Sequence, residues 1–167
     1  MDLFEQSGAS FSPCGTYRYT LWRRWSFVPP ATFVLLNPST ADATRNDPTV
    51  ERCERRAREL GCGGIRVANL FALRSTDPAL LNLHPAPIGP ENDAAIAWAI
   101  AGAGIVICGW GNEGALFARG ATVLRKIRAA GVTPHCLRLT QTGQPGHPLY
   151  VRYAQQPFPI PEGAACR

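Results

Sequence analysis

The sequence predicts an α/β fold: a three-layer α/β/α sandwich with a central four-stranded parallel sheet and an antiparallel hairpin near the N-terminus. Three observations lead there. Four short apolar runs, at residues 32–36, 65–71, 105–110 and 135–139, read as strands buried on both faces. Stretches with helix start and stop signals separate them. Strands that alternate with helices build parallel sheets covered on both sides.

The elements follow in chain order. Residues 1–15 read as a loose lead-in that ends in the turn residues Ser12, Pro13 and Gly15. Residues 17–22 alternate apolar with polar side chains, the period of a strand. A turn at Val28-Pro29-Pro30 joins them to the run at 32–36, and the two are expected to pair as the antiparallel hairpin. A polar loop, Asn37-Pro38-Ser39-Thr40-Ala41-Asp42, comes next. Asp47 as N-cap and Pro48 at the first position start a helix that runs to Leu60 and stops at Gly61. Its Arg52, Arg55, Arg56 and Arg58 alternate with Glu51, Glu54 and Glu59 and read as a solvated face with i,i+4 pairs. Residues 72–90 are a long loop rich in Pro and Asn, and Glu91 opens a helix over 92–101. A further helix spans 112–130, closed by Gly131. The last strand breaks into Thr142-Gly143-Gln144-Pro145-Gly146-His147-Pro148, and the tail, with Pro157, Pro159 and Pro161, is expected to be irregular. The whole reads as one domain over 1–167 with its core at about 11–153.

Composition narrows the class. Apolar residues make up 46% and charged ones 17%, which excludes global disorder. There is no apolar run long enough to span a membrane, and the acidic start at Asp2 and Glu5 is no secretory signal. A cytoplasmic monomer is expected. Cysteines at 14, 53, 62, 108, 136 and 166 form no Cys-x-x-Cys pair, so buried reduced thiols are expected, with no metal and no cofactor. The net charge is +5, and Lys126 is the only lysine. Arginine grips phosphates with a two-pronged fork, so the balance favours nucleic acid or an anionic substrate. The abundance of Ala, Gly and Pro fits a GC-rich coding bias equally well.

Ligands of open α/β sheets bind beyond the carboxyl ends of the strands. That rule brings Asn37-Pro38, Asn69, Trp110-Gly111 and the segment around His147 to one edge. Each residue also has a structural alternative: an Asx turn for Asn37, a loop-satisfying amide for Asn69, packing for Trp110. His84 and His135 read as structural. Arg74 lies on the presumed site edge and is a candidate anion contact. The aromatics Phe11, Tyr17, Tyr19, Trp22, Trp25 and Phe27, with Arg18, Arg23 and Arg24, suit either base stacking or, preferentially, a small core over the sheet edge. There is no phosphate-binding loop of the Gly-x-x-x-x-Gly-Lys kind and no Gly-x-Ser-x-Gly elbow.

Two resemblances rest on these residues. Leu36-Asn37-Pro38-Ser39-Thr40-Ala41-Asp42, with Asn69-Leu70-Phe71 and Gly109-Trp110-Gly111, resembles an uncharacterised bacterial and phage family, domain of unknown function 1643. Leu35-Leu36-Asn37-Pro38, Val67-Ala68-Asn69-Leu70-Phe71-Ala72-Leu73, Trp110-Gly111 and His147-Pro148 are similar, in order, to the motifs of the uracil-DNA glycosylase superfamily. The second resemblance implies a base-excision hydrolase of DNA that releases uracil or a modified pyrimidine such as 5-hydroxymethyluracil. It implies Asn37 and His147 as catalytic residues, with Asn37 placing water and His147 facing the leaving base. It makes Asn69 the reader of the pyrimidine edge, with Pro38, Ser39, Phe71 and Trp110 around the base and Arg74, Arg45 and Gly146 towards DNA. Two alternatives stay open: a binding module without turnover, and a hydrolase or transferase of free nucleosides.

Overall fold

A computed structural model describes residues 5–165; the first four residues of the expected lead-in, and Cys166, lie outside them. Seven strands form one sheet in the order β1-β2-β4-β3-β5-β6-β7. They are β1 (Gln6–Phe11), β2 (Arg18–Arg24), β3 (Ala31–Leu35), β4 (Gly64–Asn69), β5 (Ile105–Gly109), β6 (Pro134–Cys136) and β7 (Phe158–Pro159). The helices are α1 (Pro48–Glu59), α2 (Leu80–Leu83), α3 (Asn92–Ile100) and α4 (Arg119–Ala129).

The four central strands, β4, β3, β5 and β6, run parallel. Their side chains alternate between two cores. Ala31, Phe33, Leu35, Ile65, Val67 and Ile107 pack with Val50, Cys53 and Ala57 of α1. Val34, Ala68, Val106, Cys108 and Trp110 pack with α3 and α4 through Ile96, Ile100, Val123, Leu124 and Ile127. Helices therefore cover both faces. Thr32, wholly buried on β3, satisfies its hydroxyl on the Ala99 carbonyl of α3.

Helix α1 forms where the sequence places it. Asp47 Oδ1 accepts the Val50 amide at 2.9 Å, Pro48 opens the first turn, and Gly61 ends it with a φ of 75°. Its arginines correct the solvated-face expectation. Arg55–Glu59 and Arg58–Glu54 are the expected i,i+4 pairs, but Arg52 and Arg56 turn inward and donate to backbone carbonyls of residues 148–155.

Other expectations are corrected at the sheet edges. β2 does not pair with β3. It lies between β1, from the expected lead-in, and β4, antiparallel to both. Gly63 and Gly64 permit this, since a Cβ on either would overlap the backbone at Val28 or Arg23. The loop at 72–90 contains the short α2. The expected helix at 112–130 is instead a 3-10 helix (Asn112–Ala118) and α4, broken where Phe117 and Ala118 take positive φ. The two pieces wrap the Trp110 ring so closely that a Cβ on Gly114 or Gly120 would overlap it. The fourth strand is cut to Pro134–Cys136, because Arg138 already turns back to accept the Gly146 amide at 2.8 Å. The tail is not wholly irregular: β7 pairs antiparallel with β6.

Candidate functional site

β3 is flanked on both sides by parallel strands, and the connections from β3 and β5 leave towards opposite faces. Ligands of open α/β sheets bind at such a switch point, beyond the carboxyl ends of the two strands. The residues around it are held by backbone.

Asn37 follows β3. Its Nδ2 donates to the carbonyls of Ser75 at 2.9 Å and Pro38 at 3.2 Å. The Pro38 carbonyl also accepts the Ser75 amide at 3.0 Å, so the loops after β3 and β4 are stitched together. With its amide nitrogen tied, Asn37 has its Oδ1 left as an acceptor.

Asn69 ends β4 opposite Leu35 and shares a face with Ile65 and Val67, on the α1 side. It is 2% exposed, and its Oδ1 is buried with no hydrogen-bond partner among the described residues. Its backbone is clamped: Asn92 Nδ2 donates to the carbonyls of Asn69 and Leu70 at 2.8 and 3.0 Å, and Arg119 Nε to that of Leu70 at 2.9 Å. Arg119 is itself held by Asp93 at 2.7 Å. An acceptor on so rigid a support, left unpaired, makes Asn69 a candidate for contact with a ligand donor.

His147 lies over the end of β5. A Cβ on Gly109 would come within 2.7 Å of Pro148 Cδ and 3.0 Å of the Gly146 carbonyl, so the segment 146–148 rests directly on that glycine. Arg52 Nε and Nη2 fasten it from α1 through the carbonyls of Pro148 and Val151. The His147 Nδ1 accepts the Leu149 amide at 3.2 Å. That places the ring proton on Nε2 and leaves Nε2–H as a donor. Burial pushes the imidazole pKa down, against the smaller opposing pull of Asp47 and Glu113, so the ring is neutral at pH 7.

The structure adds a residue whose place the sequence does not show. Arg18 on β2 is buried under the 41–46 loop; its Nη1 donates to the Ala41 carbonyl at 2.8 Å and its Nε has no partner among the described residues. Burial lowers it to about 10, and it stays charged at neutral pH. Arg23 and Arg74 are its like-charged neighbours and Asp47 its counter-charge. Arg23 shapes the same loop through the carbonyls of Asp42 and Ala43 and the Asn46 side chain. No motif marks Arg18; only the bulge between Ser10 and Phe11 in its pairing and the covering loop reveal it.

The remaining candidates divide. Pro38 and Ser39 follow Asn37 in the loop after β3, buried and half-buried. Arg45 and Arg74 are exposed; Arg74 donates to the Gly15 carbonyl at 3.2 Å and lies 4.9 Å from the Phe11 ring. Phe71 and Trp110 are corrected. Both are buried in the core under α3 and α4, Trp110 with its Nε1 on Gln144 Oε1 at 2.9 Å, whereas Asn69 shares a face with Ile65 and Val67 of the other core. Gly146 is corrected as a phosphate donor, because its amide already serves the Arg138 carbonyl.

The family described as "Protein of unknown function (DUF1643)" matches residues 18–149, most of the chain. The protein belongs to the DUF1643 family. No curated protein and no solved structure matches it. In this DUF1643 chain the matched span covers Arg18, Asn37, Asn69 and His147 together. No helix among its described residues is long and apolar enough to cross a membrane.

Proposed function

We propose that this DUF1643 protein is a DNA N-glycosylase that releases uracil or a modified pyrimidine from a flipped-out nucleotide. One observation carries the reading: the buried, partnerless Oδ1 of Asn69 at the sheet edge shared with Asn37 and His147. A pyrimidine whose polar edge offers an N–H satisfies that oxygen. Flipping is needed because the glycosidic bond is out of reach inside a duplex. Four motif likenesses to uracil-DNA glycosylases, in the same order, support it further.

The chemistry follows from which atoms are tied and which are left. The C1′–N bond breaks heterolytically; its electron pair leaves with the base and the sugar becomes an oxocarbenium ion. The neutral His147 donates Nε2–H to the oxygen on which the base gathers negative charge. One such donor contributes about 10²–10³ in rate. Asn37 Oδ1 accepts a hydrogen bond from the water that adds to C1′. An amide is a poor base, so water attacks after the sugar is cationic and passes its proton to solvent. Arg18 adds positive potential beneath the 41–46 loop, while exposed Arg45 and Arg74 lie where flanking phosphates would run. A cytoplasmic, monomeric enzyme working without metal or cofactor fits this chemistry.

The test is base release from labelled oligonucleotides carrying uracil, 5-hydroxymethyluracil, hypoxanthine or a mismatch. Release of one pyrimidine, lost in both Asn37→Ala and His147→Ala, is the expected result. Release by neither the parent nor the variants, or equal release by all three, overturns the assignment. Salt-sensitive DNA binding without release would instead mark a binding module, and turnover of free nucleosides alone a nucleoside enzyme.

A further inference from the structure

The chain has four tryptophans, and two of them bring their indole N–H to an acceptor: Trp25 to the Cys62 carbonyl and Trp110 to Gln144, both at 2.9 Å. Trp22 and Trp98 do not. They share a cleft of about 420 Å³ that opens beside Pro29 and Pro30, at the amino end of β3 and therefore at the sheet edge opposite Asn37. Among the described residues neither indole N–H has an acceptor, and Trp98 is 46% exposed. The Trp22 ring lies so flat against β1 that a Cβ on Gly8 would overlap it.

Three arginines line the walls; Arg23 turns its guanidinium away to the 41–46 loop, and the other two face the cleft's aromatics. Arg66 Nη1 donates to the Ala101 carbonyl at 2.6 Å, which fixes its guanidinium 4.8 Å from the Trp98 ring. Arg24 Nε donates to the Ser26 carbonyl at 3.1 Å, with its guanidinium 5.4 Å from Phe27. The backbone thus holds each side chain by one nitrogen, and neither joins an ion pair among the described residues. Among the described residues no carboxylate lines the cleft.

The volume suits one small ligand. Exposed Trp98, beside half-buried Trp22, offers a stacking face to a planar ring, and two uncompensated guanidiniums offer forked donors to an oxyanion. A ligand with both properties is a nucleotide. We propose that this cleft binds a nucleotide, its base stacked on Trp98 and its phosphate held by Arg24 and Arg66. The ligand is either a free mononucleotide or one unit of a single strand of DNA; the chemistry of recognition is the same. The proposal does not depend on the glycosylase reading, because Trp98, Arg24 and Arg66 have no part in that site.

The experiment is a tryptophan-fluorescence titration of the full chain with thymidine 5′-monophosphate, thymidine and a short oligothymidylate. The parent, Trp98→Leu, Arg24→Ala and His147→Ala are compared, with thermal melts to confirm folding. Quenching by the phosphorylated ligands is expected, weaker for thymidine and weaker with added salt. Loss of base stacking in Trp98→Leu should weaken binding between about fivefold and about a hundredfold. Arg24→Ala should act in the same direction, and His147→Ala should bind as the parent does. Binding of monophosphate and oligonucleotide alike assigns the site to free nucleotides, and binding of the oligonucleotide alone assigns it to single-stranded DNA. The proposal is overturned if no ligand quenches at millimolar concentration, or if folded Trp98→Leu and Arg24→Ala bind as tightly as the parent.

Discussion

Asn69 should set function against stability in a measurable way. Its Oδ1 is buried without a partner. Such an atom keeps the full penalty of desolvation, about 1–3 kcal/mol. Asn69→Leu replaces the amide by an apolar group of similar branching and removes the penalty. Leucine is somewhat larger, and tight packing between β4 and α1 returns part of the gain. A net stabilisation of about 1 kcal/mol is expected, raising the melting temperature by about 2–4 °C for a chain of this size. The same substitution removes the acceptor that the proposed function sets against the pyrimidine. Base release should fall by at least about a hundredfold, since a site built around a polar contact fails strongly without it. The assays are urea or thermal unfolding and single-turnover base release. A variant that melts several degrees lower would refute the reasoning, because it would mean that the amide is already satisfied in the folded protein. So would one that releases base at the parental rate.

Other consequences follow from the same geometry. The folded pKa of His147 lies below its unfolded value, so between the two the folded state binds fewer protons than the unfolded state. Stability should therefore fall as the pH is lowered from about 6.5 towards the folded pKa, and His147→Gln should flatten that slope in urea titrations at successive pH values. Gly109→Ala puts a methyl group within 2.7 Å of Pro148 and should lift the segment carrying His147; a loss of about 1–3 kcal/mol with loss of base release is expected. Arg52→Ala removes the hydrogen bonds to Pro148 and Val151 and should lower base release about tenfold or more while the chain stays folded by circular dichroism. Trp110→Phe strands the Gln144 side chain and should cost about 1–3 kcal/mol in unfolding, with DNA binding unchanged because the ring is in the core.

What the sequence reveals is local. Helix α1 is legible almost to the residue because Asp47, Pro48 and Gly61 carry its signals within their own turns. β3 and β5 are legible because a strand buried on both faces is apolar without interruption. β1 is not: Gln6-Ser7-Gly8-Ala9-Ser10-Phe11 has little strand character, and its conformation comes from pairing with β2. The hairpin error has the same origin, since proximity in sequence favours pairing β2 with β3, whereas the glycine pair Gly63-Gly64 lets β4 slip between them. The strand-end rule brings Asn37, Asn69 and His147 to the carboxyl ends of the strands, where the structure also has them, but gives no face. Phe71 and Trp110 come from the same strand ends and turn to the other core. Arg18 and Arg52 look like ordinary surface arginines until the loop and the 148–151 segment close over them.

The central claim is that Asn69 and His147 face one pyrimidine. Nuclear magnetic resonance of the nitrogen-labelled chain tests it most directly, with a short oligonucleotide carrying 2′-fluoro-deoxyuridine, whose glycosidic bond resists cleavage. Joint shifts of the Asn69 side-chain amide and the His147 ring nitrogens are predicted, with Nδ1 still unprotonated and Nε2 still protonated. Resonances of Asn69 and His147 that stay in place while the oligonucleotide binds elsewhere would contradict the account.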